Sequence, residues 1–231
     1  MIFRQLFDNV SSTYTYLLGD PKSASACIID PVLEKVETYV ILLKELGLEL
    51  LYSIDTHVHA DHVTASGKLR DLTDCKTIVG TGDVSCATES LTDGKIIKVG
   101  HLSLIAIFTP GHTDNSFTFF LEDKGQGYLF TGDTLLIRGT GRTDFQNGDP
   151  AMLYESLNGK ILQFPDDTWV YPGHDYKGWT VSTIGEEKAF NPRLQKKNKV
   201  EFIDLMNNLN LPNPKMMDVA VPANLKCGRS S

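Results

Sequence analysis

The sequence of 231 residues is 41% hydrophobic and 22% charged, with a formal net charge of −7. This length suffices for one sizeable core, and the composition is ordinary for a globular protein. The acidic balance argues against partners such as nucleic acid or an anionic membrane. Because no apolar run approaches the length of a membrane span and the first ten residues do not resemble a leader peptide, we expect a cytoplasmic protein.

In chain order, the first elements alternate between strands and helices. Short runs rich in β-branched and aromatic residues predict strands at 13–18, 25–30 and 48–55. The helical spacing of apolar residues predicts a helix over 34–47, with Gly47 as its natural stop. A second helix is predicted over 60–74, directly after a cluster of histidines.

The middle of the chain is rich in strands, and helices return late. Strands are predicted at KTIVG (76–80), KIIKVG (95–100), LSLIAIFT (102–109), SFTFFLE (116–122) and GYLFTG (127–132). Helices are predicted over 150–162, 183–190 and 199–209. This order indicates an α/β protein with layered sheets. We expect a single domain, 1–231, in which 211–231 forms an extended C-terminal tail packed on the body.

The cysteines favour a reducing compartment. Cys27, Cys75, Cys86 and Cys227 form no C-x-x-C pair, which argues against a zinc ribbon or a thioredoxin-type motif. Four cysteines in a chain of this length, without a leader, favour reduced thiols.

Potential metal ligands follow four of the apolar strands, each at the point where the strand ends. Residues 55–62, DTHVHADH, hold three of the six histidines. His112 lies in T-P-G-H, Asp133 in T-G-D and His174 in P-G-H. Strands of one sheet can deliver their ends to a common edge, where α/β proteins build sites. The glycine before His112, Asp133 and His174 permits tight backbone geometry near a shared centre.

Singly, these residues have ordinary structural readings. His62 could cap a helix, Asp133 could form an Asx turn, and His101, which opens a strand, is expected to be a hydrogen-bonded core residue. Collectively, the four turns indicate a metal site. Imidazole and carboxylate suit Zn, Fe, Mn or Co, and the absence of cysteine from the four turns disfavours a thiolate-preferring metal.

The motifs T-H-x-H-x-D-H, P-G-H-T, T-G-D-T and P-G-H together resemble the metallo-β-lactamase superfamily. The resemblance covers most of the chain and implies an αβ/βα sandwich of two packed mixed sheets flanked by helices. Superfamily membership constrains the fold well and the reaction poorly, because members include hydrolases, oxidoreductases and nucleases.

One interpretation within the superfamily is a glyoxalase II-like hydrolase of glutathione thioesters that uses two metals. There His57, His59 and His112 would hold one metal, Asp61, His62 and His174 the second, and Asp133 would bridge them. A metal-bound hydroxide would attack the thioester carbonyl. Every residue that this mechanism requires is present, so the ligand set does not exclude it.

The second interpretation is favoured by segments outside the ligands. Residues 135–149 (LLIRGTGRTDFQNGD), 171–194 (YPGHDYKGWTVSTIGEEKAFNPRL) and 219–228 (VAVPANLKCG) are similar to signature segments of the persulfide dioxygenases, the ethylmalonic encephalopathy protein-like sulfur dioxygenases. With the histidine segment, they extend the resemblance over nearly the whole chain. It implies an oxidoreductase that converts glutathione persulfide, O₂ and water into sulfite and glutathione.

That family implies one Fe(II) per chain, with His57, His112 and Asp133 as its ligands and catalytic residues. Two histidines and one carboxylate form a facial triad that leaves coordination positions open, whereas zinc has no redox chemistry. His59, Asp61, His62, His174 and Asp175 would surround the metal without binding it directly. The reaction needs no external reductant, because oxidation of the terminal sulfur to sulfite releases as many electrons as the full reduction of O₂ accepts.

Glutathione carries two carboxylates, so its site should supply cations and hydrogen-bond donors. Residues 174–199 contain six lysines and arginines against three acids, although the run at 196–199 is more typical of a solvated surface. Tyr176 and Arg193 match positions that contact glutathione in the similar enzymes, and arginine suits bidentate carboxylate binding.

Three further expectations concern neighbouring residues. Arg142 would either face the site or brace it through Asp144, of which we favour the bracing role, and Asp175 would anchor the turn from Gly173 to Tyr176. Many relatives have cysteine where this sequence has Thr140, which puts thiol-based regulation at that position in doubt. The family also suggests a homodimer.

Two hypotheses come from other classes. A metal-binding module without catalysis would fill the open positions of the metal with further protein ligands, and the sequence offers none for that purpose. A metallo-nuclease would be expected to carry an added basic domain, which the acidic composition argues against.

Overall fold

The computed structural model describes residues 1–80, 84–195, 198–212 and 216–229. Within them, the chain forms two six-stranded sheets with a shared apolar core between them. Helices pack on the outer face of each sheet. This is the predicted αβ/βα sandwich.

The first sheet has its strands in chain order. They are β1 (Ile2–Asp8), β2 (Thr13–Asp20), β3 (Ser25–Ile29), β4 (Glu49–Ile54), β5 (Lys76–Val79) and β6 (Glu89–Ser90). The first three strands are antiparallel and the remaining pairs are parallel. The outer helices are α1 (Val36–Leu46) and α2 (Ser66–Thr73).

The second sheet is largely antiparallel and has the order β12-β11-β10-β9-β8-β7. Its strands are β7 (Ile96–Val99), β8 (Leu102–Phe108), β9 (Phe117–Asp123), β10 (Gln126–Gly132), β11 (Trp169–Pro172) and β12 (Ser182–Thr183). Only β10 and β11 pair in parallel. The remaining helices are α3 (Pro150–Gly159), α4 (Ile184–Phe190), α5 (Lys199–Asn207) and α6 (Met217–Asn224).

Burial patterns follow the position of each strand in the sandwich. All eight residues of β2 are buried, as expected for a strand covered on both faces. The edge strand β7 alternates exposed and buried residues, which is the pattern of a strand with one wet face. The central core contains large aromatic side chains such as Tyr16, Phe119 and Phe130, all fully buried.

Local sequence signals set several helix ends. Helix α1 ends at Gly47, whose φ of 63° is the left-handed conformation that glycine adopts without strain. Helix α3 begins with Pro150 after Asp149, whose carboxylate accepts hydrogen bonds from the amides of Ala151 and Met152. Both ends were predicted to within a few residues.

Three sequence predictions are wrong in part. The helix predicted over 60–74 begins only at Ser66, because residues 60–65 are folded around the histidine cluster. The segment 211–231 is not extended throughout, since residues 217–224 form α6. Cys86 and Cys227 form a disulfide rather than free thiols, whereas Cys27 and Cys75 are free as expected. None of the helices in the described ranges has the length and hydrophobicity needed to cross a membrane.

Candidate metal centre

The ends of strands from both sheets converge on one site. The loop after β4 carries the three clustered histidines, and the turns after β8, β10 and β11 carry His112, Asp133 and His174. Gly132 has a φ of 50°, and a Cβ atom there would lie 2.6 Å from the Thr56 hydroxyl. The close approach of β10 to the histidine loop therefore requires glycine, as the sequence predicted.

His57, His112 and Asp133 form a group whose possible ligand atoms all lie within 4.8 Å of one another. The imidazoles of His57 and His112 are almost perpendicular, with ring centroids 4.9 Å apart. Nε2 of His112 lies 3.6 Å from Oδ2 of Asp133. The structure thus brings together the three residues that the sequence proposed as metal ligands.

Hydrogen bonds fix the tautomer of His57. The Thr56 hydroxyl donates its only hydrogen to the Asp30 carboxylate at 2.9 Å, so it must accept from Nδ1–H of His57, also at 2.9 Å. Nε2 of His57 therefore carries the lone pair. Burial, together with the charges of His59 and His112, holds the pKa of His57 well below its ordinary value. A neutral imidazole is the form that binds a metal.

His112 and Asp133 are each tethered through one atom. Nδ1 of His112 donates to the carbonyl oxygen of Arg142 at 2.7 Å, because a carbonyl can only accept, and Nε2 is left as the acceptor. Oδ1 of Asp133 lies 2.6 Å from Nδ1 of His174, which leaves Oδ2 beside His112. Burial opposes ionisation of Asp133, but the charge and hydrogen bond of His174 outweigh it and lower its pKa.

The donor set fits a mononuclear metal. Two neutral imidazole nitrogens and one carboxylate oxygen are oriented by hydrogen bonds to their other atoms, as metal-binding side chains usually are. This set is the two-histidine, one-carboxylate combination typical of non-haem Fe(II). Imidazole and carboxylate also bind other divalent metals, so the geometry defines the site and not the metal.

A second set of similar residues lies beside this triad and is hydrogen-bonded internally. Oδ2 of Asp61 lies 2.9 Å from Nδ1 of His62 and 2.8 Å from Nε2 of His174. The Thr13 hydroxyl contacts the same three atoms at 3.0, 3.3 and 3.1 Å. Burial disfavours a charged His174, but Asp133 and Asp61 outweigh it and raise its pKa well above the ordinary value. We call Thr13, Asp61, His62 and His174 the paired cluster.

His59 lies between the triad and the paired cluster. Its Nε2 is 3.0 Å from Oδ1 of Asp30. Burial lowers the pKa of His59, yet Asp30 outweighs this and raises it to about 9. Within the described residues, Nδ1 of His59 and Nε2 of His62 are buried without a hydrogen-bond partner. His59 also belongs to two further groups of close donors, one with Asp61 and His62 and one with Asp30 and Asp55.

A cavity of about 660 Å³ opens onto the triad. Arg193 lines it and donates to the carbonyl and hydroxyl oxygens of Thr140 at 2.6 and 2.9 Å. Tyr176 is 73% exposed at its rim, with its ring parallel to that of His174. Both residues proposed to contact glutathione therefore face the cavity, whose volume is typical of small-molecule sites.

Arg142 also lines the cavity, but its guanidinium is engaged in bracing. It forms a bidentate pair with Asp144 at 2.6 and 2.7 Å and donates to the carbonyl of Pro212 at 2.7 Å. The backbone carbonyl of Arg142 accepts a hydrogen bond from His112, so the ion pair that fixes Arg142 also helps to position His112. The geometry agrees with the bracing role, and contact with substrate stays a prediction.

The other predicted residues have structural roles. The Asp175 carboxylate accepts from the amides of Lys177 and Trp179, both at 2.7 Å, so it anchors a turn slightly later than predicted. His101 is exposed and paired with Asp20 at 2.7 Å, so the expectation of a core histidine is wrong. Lys199 pairs with Glu155 on the surface, whereas Lys196 and Lys197 lie outside the described residues.

Sequence reasoning missed four residues that support the site: Thr13, Asp30, Thr56 and Asn224. Asp30 carried a usable signal, because it follows an apolar strand just as the predicted ligands do. Asn224 carried none, yet its amide donates to the carbonyls of His59 and His62 at 2.8 Å.

Comparison with known proteins identifies the family. A model of the metallo-β-lactamase superfamily matches residues 88–179. The mitochondrial persulfide dioxygenase ETHE1 of Homo sapiens is 49% identical over 229 residues, which are 99% of this chain and 89% of the human protein. The crystal structure of ETHE1 from Myxococcus xanthus is 53% identical, with a TM-score of 0.95, and covers 99% of this chain and 100% of that one. A probable hydroxyacylglutathione hydrolase of Schizosaccharomyces pombe is 30% identical, over 89% of this chain and 90% of its own length.

Proposed function

Because this chain belongs to the persulfide dioxygenase family of the metallo-β-lactamase superfamily, we propose that it oxidises glutathione persulfide with O₂ at a single Fe(II). His57, His112 and Asp133 would hold the iron. The products would be sulfite and glutathione, with one O₂ and one water consumed for each persulfide. The observation that carries the proposal is the triad itself, whose three uncommitted donor atoms lie within 4.8 Å of one another beside a cavity.

Bound Fe(II) would supply the capacity to activate O₂ and to bind a sulfur anion at its open positions. The protein's contribution is to orient the ligands. Thr56 holds the ring of His57, and the Arg142 carbonyl holds the ring of His112. His174 donates to Oδ1 of Asp133, which keeps this carboxylate ionised and directs Oδ2 towards the metal position.

Cations at the rim of the cavity support glutathione as the carrier of the persulfide. Arg138, Arg142, Lys177 and Arg193 all line the cavity. Arg193 retains donors beyond the nitrogen that binds Thr140, since a guanidinium offers five N–H groups. Arg138 and Arg142 are paired with Glu187 and Asp144, so Arg193 is the cation best placed to bind a carboxylate of glutathione.

The alternative is a two-metal hydrolase of glutathione thioesters, as the fission yeast relative is described. Two observations argue against it for this chain. That relative is the more distant of the two, at 30% identity against 49%. The second metal of such a site would need Asp61, His62 and His174, and these residues are hydrogen-bonded to one another and to Thr13.

O₂ uptake decides between the two reactions. Iron-loaded protein is mixed with glutathione persulfide in an oxygen electrode, and sulfite is assayed in parallel. We expect one O₂ consumed and one sulfite formed per persulfide. Hydrolysis of S-lactoylglutathione without O₂ uptake would contradict the dioxygenase.

The role of Arg193 in binding glutathione persulfide is tested by the variant Arg193→Ala. The control variant Lys199→Ala removes a positive charge outside the cavity. Because a hydrogen bond to a charged group contributes about 1.5–3 kcal/mol, removal of Arg193 should raise KM for glutathione persulfide roughly tenfold or more. Lys199→Ala should leave KM unchanged, and equal effects of the two variants would argue for a general effect of charge.

Two further proposals concern the protein in the cell. We propose that the protein is a cytoplasmic homodimer, and cell fractionation and sedimentation measurements would test the two parts of this proposal. If the protein sediments as a monomer, the proposed homodimer is wrong, and the proposed dioxygenase reaction is not affected.

A further inference from the structure

The C-terminal segment, residues 216–229, is covalently tied to the first sheet's far end. Cys227 in this segment forms a disulfide with Cys86, which precedes β6. The two cysteines are 141 residues apart in the sequence. The reaction proposed above uses neither of them.

The same segment clamps the loop that carries His57, one of the three proposed metal ligands. Asn224 is buried, and its amide nitrogen donates to the carbonyls of His59 and His62, each at 2.8 Å. Its side-chain oxygen accepts from the amide of Thr64, also at 2.8 Å. One side chain from the C-terminal segment therefore satisfies three backbone groups of the ligand loop, residues 55–66.

The clamp depends on tertiary attachment, because α6 is a weak helix. It has eight residues, no side-chain N-cap and Pro222 in its interior. Helices of this length are marginal on their own, and an interior proline costs about 3 kcal/mol. The attachment close to the disulfide includes a hydrogen bond from the amide of Gly67 to the carbonyl of Cys227 at 2.9 Å. Cys227 thus lies three residues from Asn224 and at one of the attachments of the segment to the first sheet.

The two sulfurs differ in their access to solvent. Cys227 is buried at 1% exposure, whereas Cys86 is partly exposed. Thiol–disulfide exchange proceeds by attack of a thiolate on one sulfur of the bond, and access determines which one. Cys86 is therefore the more exposed partner, and we expect a small thiol to attack its sulfur with Cys227 as the leaving group.

We propose that the Cys86–Cys227 disulfide is a thiol-exchange site for small thiols of the glutathione type, and that its opening loosens the clamp on the ligand loop. A first thiolate bonds to Cys86 and displaces the thiolate of Cys227. A second thiolate then displaces Cys86, so that two thiols are oxidised to one external disulfide and both protein cysteines become thiols. Retention of the metal would consequently fall as the thiol-to-disulfide ratio rises. The inference rests on the proposed function only in its use of the triad as the metal site.

The experiment compares the oxidised and reduced protein. The metal-loaded chain is equilibrated in buffers of different glutathione-to-glutathione disulfide ratio, and the thiols of Cys86 and Cys227 are counted by differential alkylation and mass spectrometry. Two readouts follow: release of metal to a chelator, and hydrogen exchange of the amides in residues 59–64. Because loss of a group that supports ligands typically lowers metal affinity 10–100-fold, we expect reduction to speed metal release roughly tenfold. Hydrogen exchange in the loop should rise with it.

Cys86→Ser combined with Cys227→Ser should behave as reduced protein does and lose its response to glutathione. Cys75→Ala, which removes a buried thiol outside the disulfide, should keep the response. The inference is overturned if air-oxidised protein contains no such disulfide, or if oxidised and reduced proteins show the same exchange in residues 59–64. A chain that holds no metal in either state would instead remove the proposed function, while the hydrogen-exchange readout would still test the clamp.

Discussion

Two neighbouring groups of buried residues in this molecule contain similar side chains but form different patterns of hydrogen bonds. The triad contains two imidazoles and one carboxylate, from His57, His112 and Asp133. The paired cluster contains the same groups, from His62, His174 and Asp61, together with the Thr13 hydroxyl. In the triad, the hydrogen bonds go outward to Thr56, to a carbonyl and to His174, and three donor atoms remain for a metal.

In the paired cluster, most hydrogen bonds run between its own members, and Nδ1 of His174 also bonds to Asp133 of the triad. The imidazoles of His62 and His174 both form hydrogen bonds to Oδ2 of Asp61. The Thr13 hydroxyl contacts all three residues. Two nitrogens bound to one metal at about 2.0–2.1 Å lie at most about 4.2 Å apart. His174 belongs to none of the groups of described residues whose ligand atoms lie within 4.8 Å. The comparison teaches that sets of the same residue types can differ in their hydrogen-bond partners, and that these partners decide how many donor atoms remain uncommitted.

The largest expected effect comes from removing a member of the triad. His112→Ala should abolish stoichiometric metal binding and reduce persulfide oxidation by far more than the 10–100-fold typical of residues that only support ligands. His62→Ala, a matched loss of imidazole from the paired cluster, should retain about one metal per chain. Metal content by atomic spectroscopy checks both variants. Equal loss from both would show that the two groups form one centre.

Loosening the support of the triad should have a smaller effect. Thr56→Val keeps the shape of the side chain but removes the hydroxyl that links His57 to Asp30. Metal affinity should fall roughly 10–100-fold, and Thr56→Ser should restore it because the hydroxyl returns. The measurement is a competition titration against a chelator of known affinity. Unchanged affinity in the valine variant would mean that packing alone orients His57.

Opening the paired cluster is the converse test. Thr13→Ala removes the hydroxyl that lies between His62 and His174, and with it three of the contacts that hold the cluster closed. With excess Co²⁺ or Zn²⁺, the variant should take up a second metal ion, whereas the parent and Thr13→Ser should not. Metal content and the Co²⁺ absorption spectrum report this directly. If the variant still binds only one metal, the distance between the imidazoles of His62 and His174, rather than the Thr13 hydroxyl, prevents binding of a second metal.

Much of this comparison was accessible from the sequence. Apolar strands that end in His or Asp predicted a metal site at the sheet edge, because strand ends are positioned by the fold itself. The choice of His57, His112 and Asp133 as the ligands came from the family resemblance. Glycines at the turns predicted the close approach of the strands, as Gly132 against Thr56 shows. The same reasoning failed to separate the two groups, since both follow the same kind of strand end.

The missing information lies in contacts between distant parts of the chain. Thr13 is 161 residues from His174, and Asn224 is 165 residues from His59. Neither belongs to a local motif, so no periodicity or spacing marks it. Helix α6 was missed because Pro222 lowers the helical signal of its own segment, and tertiary packing stabilises it instead. The disulfide was missed because thiol pairing is a property of the fold and not of spacing.

The smallest expected effect concerns the stability of the metal-free protein. The pKa values of Asp61 and Asp133 are lowered because, although burial opposes it, His174 and the neighbouring histidines favour the ionised carboxylates. Their contribution to folding is present above the unfolded pKa of about 3.9 and is lost as the pH falls. The pKa of His174 is raised, so its contribution is fully present below about 6.5 and is lost as the pH rises through the folded value.

The paired cluster should therefore stabilise the metal-free chain most between about pH 4 and pH 6.5. His174→Gln removes the charge, so the difference in Tm between the two metal-free proteins should be largest in that window and shrink on both sides. For a chain of this size, 1 kcal/mol corresponds to about 2–4 °C in Tm, so calorimetry at several pH values resolves the effect. A difference that is the same at every pH would mean that His174 is neutral in the folded protein. The paired cluster would then be closed by Thr13 and Asp61 without a buried ion pair, and Thr13→Ala would become the more informative variant.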